Sequence, residues 1–237
     1  MPTQKTALIT GASRGLGLAL ARELARNNWT LVIDARGAET LEQVRDELKK
    51  YTQVIALPGS VTNLVHRNAI AYAAQTVGGL DLVVNNAGAL GPSPQPQLLD
   101  YPLDVLEAVY RANVIAPLGI LQAVRDHLKD GATVINISSD AAVEAYTGWG
   151  GYGSSKAALD HLTRIFAAEY PQYRVYSVDP GDMQTQMHQD AFPGEDISDR
   201  PLPEESVPGL LAIIEGDLPG GRYAARELAS VSEEAAS

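Results

Sequence analysis

Short apolar runs recur along this chain, each followed by a longer stretch whose apolar positions repeat at helical spacing. Runs of about five residues, rich in Val and Ile and closed by Gly, Asn or Asp, read as buried strands. They fall at residues 6–10, 29–33, 53–57, 81–84, 132–137 and 173–178. Gly220-Gly221-Arg222-Tyr223 starts a last short edge strand. The longer stretches predict helices over 18–25, 41–50, 63–77, 103–129, 152–170 and 204–215. Pro117 lies inside the fourth helix, where it should kink the chain or free a carbonyl near Asn113. Strands alternating with helices give a parallel sheet covered on both faces. The expectation is one doubly wound α/β domain of about seven strands, spanning residues 1–237. Residues 89–102 hold Pro92, Pro94 and Pro96, but the alternation resumes beyond them, so they are a loop within the domain. Residues 182–203 are polar, Pro-rich and aperiodic, and so long a segment reads as a mobile lid. Residues 230–237 read as a frayed tail.

Composition leaves that fold unchanged and narrows the function. A net charge of −11 argues against a nucleic-acid partner, which requires a basic face. The chain has no cysteine, which excludes disulfides, thiol catalysis and thiolate metal sites. His66, His127, His161 and His188 are scattered without metal-ligand spacing, so they read as surface or packing residues and no metal site is expected. No apolar run approaches the roughly 20 residues of a membrane span. Met1-Pro2-Thr3-Gln4-Lys5 has no apolar signal-peptide core. A cytoplasmic location with no membrane partner is the expectation.

Two motifs carry chemistry. Between the first strand and first helix stands Gly11-Ala12-Ser13-Arg14-Gly15-Leu16-Gly17. Glycines let the backbone turn tightly and let a ligand approach, and a helix N-terminus offers free N–H groups to phosphate. Downstream, Tyr152-Gly153-Ser154-Ser155-Lys156 puts a phenol and an ammonium four apart on one helix face. An ammonium beside a phenol favours the phenolate, so the pair could exchange a proton with a carbonyl or alcohol oxygen. The glycine turn, Asn85-Asn86-Ala87-Gly88, Ser138-Ser139 and Pro180-Gly181 all fall just after strands. Ligands of a Rossmann-like sheet bind at that carboxyl edge.

Together these residues resemble the short-chain dehydrogenase/reductase family over residues 6–185. The family's Thr-Gly-x-x-x-Gly-x-Gly matches Thr10, Gly11, Gly15 and Gly17; its Asn-Asn-Ala-Gly matches Asn85, Asn86, Ala87 and Gly88. Its catalytic asparagine matches Asn113, and its serine, thirteen residues before the tyrosine, matches Ser139. Its Tyr-x-x-x-Lys matches Tyr152 and Lys156, and its Pro-Gly-x-x-x-Thr matches Pro180, Gly181 and Thr185. The resemblance implies that Tyr152 is the general acid or base and that Lys156 lowers its pKa and holds the nicotinamide ribose. Ser139 would orient the substrate oxygen, Asn113 anchor a proton-supplying water chain, and Thr185 contact the nicotinamide end. It also implies a cofactor site of Gly11, Ser13, Arg14, Gly15, Leu16, Gly17, Ala35, Arg36, Ser60, Val61, Asn86, Ala87, Gly88, Tyr152, Lys156, Pro180, Gly181 and Thr185.

Two departures bear on the cofactor. Ser60 stands where the family usually has an aspartate beside the adenine. Aligned on the glycine turn, the acidic position of NAD-preferring members falls on Ala35, and Arg36 follows. Arg14 adds a second guanidinium, and two guanidiniums suit a 2′-phosphate. NADP(H) is therefore expected over NAD(H); the alternative is that Asp34 turns inward and reads the ribose. The expected activity is NADP(H)-dependent interconversion of a ketone or aldehyde with an alcohol. A catalytically silent NADP(H) sensor is the rival, disfavoured by the complete Asn113, Ser139, Tyr152, Lys156 set. A sugar-nucleotide epimerase would need a substantial C-terminal domain, and only about fifty residues follow Gly181. Trp149, Tyr146, Met183, Met187 and Phe192 point to an apolar or aromatic substrate. Glu144, Asp182 and Asp190 argue against a strongly anionic one. Leu159, Leu162, Ile165 and Phe166 are too wide for one helix face, and with the family's habit they imply a homodimer or homotetramer.

Overall fold

A computed structural model describes residues 4–229 of the chain. The expected tail at 230–237 lies outside these residues. Seven parallel strands form one sheet in the order β3-β2-β1-β4-β5-β6-β7. They are β1 (Thr6–Ile9), β2 (Thr30–Ala35), β3 (Val54–Pro58), β4 (Leu80–Asn85), β5 (Leu128–Ile137), β6 (Arg174–Asp179) and β7 (Gly221–Ala224). The chain winds outward from β1 to β3, returns to β4 and winds out the other way. That reversal opens a crevice at the carboxyl ends of β1 and β4.

The alternation of strand side chains sorts the core into two layers. Ala7, Ile9, Leu31, Ile33, Leu82, Val84 and Val178 face helices α1 (Gly15–Arg26), α2 (Ala38–Leu48) and α8 (Val207–Glu215). Leu8, Val32, Val83, Val134 and Val175 face α3 (Leu64–Thr76) and α5 (Ala116–Val124). The strands are thus buried on both faces, which is why they read as apolar runs rather than alternating ones.

The predicted helix over 103–129 is not continuous. It forms α4 (Leu103–Tyr110), a π turn (Arg111–Ile115) and α5. Pro117 cannot donate to the Asn113 carbonyl four residues back, and the ladder widens there. Nor does it reach Lys129. A single 3-10 turn at Arg125–His127 ends it, and β5 begins at Leu128, which pairs with Leu80. Gly131, at φ +73°, absorbs the irregular register before the strand becomes regular. Sheet pairing overrides the helical pattern of residues 125–129.

Two further helices are α6 (Gly150–Glu169) and, inside the predicted lid, α7 (Gln186–Ala191). The aperiodic reading of 182–203 missed α7. Thr185 caps it by accepting from the His188 N–H, and His188 is buried beneath it. The helix is too short to show a period. No helix among the described residues is long and apolar enough to cross a membrane.

Candidate active site

The glycine turn is held in place by backbone-scale contacts. Gly11 at φ +68° and Gly15 at φ +56° adopt conformations that suit glycine. Gly17 does not line the cleft. A Cβ there would stand 2.5 Å from Asn86 Nδ2 and 2.6 Å from the Gly11 carbonyl, so this glycine permits close packing beneath the turn. Thr10 Oγ1 accepts from the N–H groups of Asn86 and Ala87, both at 3.0 Å. Asn86 Nδ2 donates to the carbonyls of Thr10 and Gly11 at 2.8 and 3.2 Å. The Asn-Asn-Ala-Gly stretch thus braces the turn from β4. Arg14, at the N-cap of α1, makes no side-chain cap, which leaves the first N–H groups of α1 open to the cleft.

Asp34 does not turn toward the ribose position. Its Oδ1 accepts from the Gly11 N–H at 2.8 Å, its carbonyl accepts from Ala12 at 2.9 Å, and its Oδ2 pairs with His66 Nε2 at 2.9 Å. The carboxylate is 1% exposed. His66, read from sequence as a surface or packing residue, is its buried partner. Gly59 makes room for that ring, since a Cβ there would lie 2.2 Å from Nδ1. No local signal tied His66 to Asp34 across 32 residues. Arg14 and Arg36 line the cleft, and within the described residues neither forms an ion pair. Ser60 Oγ lies 2.8 Å from Thr62 Oγ1, so a hydroxyl pair stands at the position read as replacing the family's usual aspartate.

One cavity of about 1240 Å³ runs along the carboxyl edge of the sheet. Every predicted cofactor residue except Gly17 lines it, as do Ser139, Tyr152 and Lys156. Asn113 lies behind the wall. It is 1% exposed, accepts from the Ala89 N–H at 2.8 Å, and donates to the Ala89 carbonyl and to Ser155 Oγ, both at 2.9 Å. A Cβ on Gly88 would sit 3.3 Å from Asn113 Oδ1 and 3.8 Å from Lys156 Nζ, so both groups flank that glycine.

Glycines also seat the Tyr152–Lys156 helix. A Cβ on Gly151 would strike the Tyr101 ring at 2.3 Å, and one on Gly153 the Ala141 carbonyl at 2.6 Å. The first turn of α6 therefore presses against the turn that follows Ser139. Lys156 Nζ donates to the Ile137 carbonyl at 2.7 Å and stands 5.5 Å from the Tyr152 ring centre. Ser139 Oγ donates to Asp140 Oδ1 at 2.9 Å.

Burial dominates the protonation of this pair. It pushes the Tyr152 phenol well above its ordinary value; the charges of Asp179 and Asp140 add to the rise, and a hydrogen bond with Ser139 opposes it. It brings the Lys156 ammonium down to about 8, against the field of Asp160. The simple expectation of an ammonium lowering the phenol is not met in the protein alone, because desolvation penalises both charged forms. Tyr152 stands protonated at neutral pH.

The end of the cleft beside Trp149 is walled by side chains. Trp149 packs against Tyr152, Phe192 and Tyr146 with ring centres 5.8, 5.9 and 6.3 Å apart. Trp149, Met183 and Met187 line the cleft, whereas Tyr146 and Phe192 buttress Trp149 from outside it. Asp182 and Asp190 also face the cavity.

A family profile described as short chain dehydrogenase matches residues 5–196. Similar curated proteins include the short chain dehydrogenase penD of Penicillium thymicola, 40% identical over 176 residues, covering 70% of this chain and 63% of that one. Mouse sepiapterin reductase is 32% identical over 197 residues, covering 77% of this chain and 76% of its own. Among solved structures, a putative short chain dehydrogenase from Pseudomonas syringae superposes with a TM-score of 0.87 at 27% identity, covering 93% and 94% of the two chains. One from Shigella flexneri, complexed with NADP, gives 0.85 at 28% identity, covering 94% and 97%. The chain belongs to the short-chain dehydrogenase family of oxidoreductases.

Proposed function

We propose that this enzyme uses NADP(H) to interconvert a ketone or aldehyde with an alcohol. The observation that carries the reading is one cleft holding the glycine turn and two unpaired guanidiniums at one end and Ser139, Tyr152 and Lys156 at the other. The turn fits a pyrophosphate, because its glycines exclude Cβ atoms and the first N–H groups of α1 stay open. Asp34 is saturated by Gly11 and His66, so it does not repel a 2′-phosphate that Arg14 and Arg36 are placed to hold. Similar structures bound to NADP support the same choice.

When bound, the cofactor supplies the hydride. The protein's own residues place the substrate and move one proton. Ser139 turns its hydroxyl from Asp140 to the substrate oxygen and holds it beside Tyr152. In reduction, the protonated phenol gives its proton to that oxygen as the carbonyl carbon receives the hydride; in oxidation it takes the proton back. Asn113 ties the loop after β4 to α6 and, with Lys156, flanks the route by which solvent restores the proton. The raised phenol favours donation at neutral pH, so oxidation rises as pH increases. Trp149, Met183 and Met187 select apolar or aromatic carbonyl compounds, and residues 182–203 act as the lid over them. The reading includes a cytoplasmic location and a homodimer or homotetramer. A groove of about 370 Å³ between α5 and α6, lined by Pro117, Leu118, Leu162, Ile165 and Phe166, is the surface for the latter. Sedimentation at the monomer mass of 25.2 kDa at micromolar protein overturns the oligomer.

The test is a protein-fluorescence titration with NADPH and NADH, on wild type and Arg36→Ala. Tighter NADPH binding, weakened by the mutation, is the expected result. Equal affinity for both cofactors overturns the NADP(H) reading, and binding without turnover on a carbonyl panel leaves the sensor reading.

A further inference from the structure

Arg222 lies on β7, the edge strand at the opposite end of the sheet from β3, and the mechanism above does not use it. Its guanidinium nonetheless joins three elements around the catalytic pair. Nη2 donates to the Ser139 carbonyl at 2.9 Å and to Asp179 Oδ2 at 3.2 Å, and Nε donates to Asp160 Oδ2 at 3.2 Å. Ser139 follows β5, Asp179 closes β6, and Asp160 lies one turn beyond Lys156 on α6. The two carboxylate side chains are only 10% and 12% exposed. Asp160 Oδ1 has no hydrogen-bond partner, so the contact of Arg222 with Oδ2 is this acid's main compensation. Buried carboxylates stripped of their cation impose a strong local field.

We propose that Arg222 is a positioning residue for the Tyr152–Lys156 pair, pinning the backbone of Ser139 and neutralising the two buried acids that act on the pair from β6 and α6. Asp179 opposes the phenolate of Tyr152, as Asp140 does from beyond β5, while Asp160 favours the ammonium of Lys156. Removing the guanidinium strengthens both fields: the phenol becomes harder to ionise and the ammonium harder to deprotonate. The Ser139 carbonyl also loses a charged donor, which loosens the turn that aims the serine hydroxyl. A planar fork with donors on two sides reaches all three acceptors. The consequence for Tyr152 rests on the acid–base role proposed for it; the consequence for Lys156 rests on the Arg222–Asp160 contact and the field of Asp160 one turn away on α6, and needs no assigned reaction.

The deciding experiment therefore needs neither substrate nor cofactor. The chain has five lysines, so carbon-13 at Cε gives five resonances to follow by NMR against pH, with Lys156→Arg identifying the one of interest. The wild-type midpoint for Lys156 is expected at about 8. Arg222→Gln raises it by about one pH unit, Arg222→Gln with Asp160→Asn lowers it again, and Arg222→Lys, which keeps the charge, holds it near wild type. On any alcohol that the wild type oxidises, the pH of half-maximal kcat rises in Arg222→Gln and returns with Asp179→Asn. A packing role alone would lower the melting temperature and leave the Lys156 midpoint where it was; that outcome in folded Arg222→Gln overturns the proposal. If Arg222→Gln does not fold, Asp160→Asn decides: its Lys156 midpoint must fall, and an unchanged one overturns the proposal. Failure of NADPH to bind wild type counts against the cofactor reading and leaves this titration intact.

Discussion

At the glycine-turn end of the cleft the contacts are made largely by main chain, short polar side chains and glycines. Thr10, Asn86 and Asp34 together hold the turn through six hydrogen bonds to backbone groups. At the Trp149 end the wall is rings and thioethers: Trp149 leans on Tyr146, Phe192 and Tyr152, with Met183 and Met187 alongside. On the proposed function the first region holds the cofactor, and its contacts run through backbone groups that cannot be exchanged without moving the turn. The second holds the substrate, and its side chains can be exchanged without moving the backbone. Damage at the first end should therefore cost cofactor binding, and damage at the second should cost selectivity.

The largest expected effect lies where the two regions meet. Tyr152→Phe removes the only proton carried by the phenol and should lower kcat by about a thousandfold. NADPH affinity should stay within a few-fold of wild type. Loss of both in one variant would mean that the two ends are not separable. Next, Gly17→Val inserts a Cβ where 2.5 Å separates it from Asn86 Nδ2. NADPH affinity should fall by roughly a hundredfold, about 2.7 kcal/mol. A valine variant with wild-type affinity would show that the turn tolerates displacement.

Lys156→Met probes stability rather than turnover. The unfolded lysine titrates near its ordinary 10.5 and the folded one at about 8. Between those values the unfolded chain binds the extra proton, so wild-type stability falls as pH drops from 10.5 to 8 and is level below 8. Methionine carries no charge. The variant should thus gain on wild type as pH falls through that window, by roughly 3 kcal/mol, as read from denaturant melts at a series of pH values. A constant difference at all pH values would mean that burial does not depress the lysine.

The two smallest effects set the ends of the molecule against each other. Arg36→Ala should weaken NADPH by about tenfold and leave NADH nearly unchanged, since a single charged hydrogen bond contributes roughly 1.5 kcal/mol. Trp149→Ala should raise KM for an aromatic ketone about fivefold with no change in the Kd for NADPH. If Trp149→Ala weakened NADPH as much as Arg36→Ala does, the division into two independent regions would fail.

Much of this was legible in the residues. The strands announced themselves because a parallel sheet buries both faces, so each reads as a short unbroken apolar run. The glycine turn, Asn86 and Ser139 were legible because each follows a strand end, and Tyr152 and Lys156 because they stand four apart on one helix. The break at Asn113 followed from Pro117, although its form as a π turn did not. The end of that helix was misjudged because pairing between Leu128 and Leu80 outweighs local propensity. Asp34 was ambiguous, since its identity could not say whether it faced the ribose or the turn.

What the sequence determined by itself is the period of burial, the breaks at glycine and proline, and the order of groups along the carboxyl edge. These depend on neighbours within a few residues. Only the tertiary structure decided which distant groups meet: His66 with Asp34, Arg222 with Asp160 and Asp179, Trp149 with Phe192. Those pairs are separated by 32 to 62 residues along the chain. Buried charges and rings must find partners, and the winding of the sheet, not the local pattern, sets which ones are within reach.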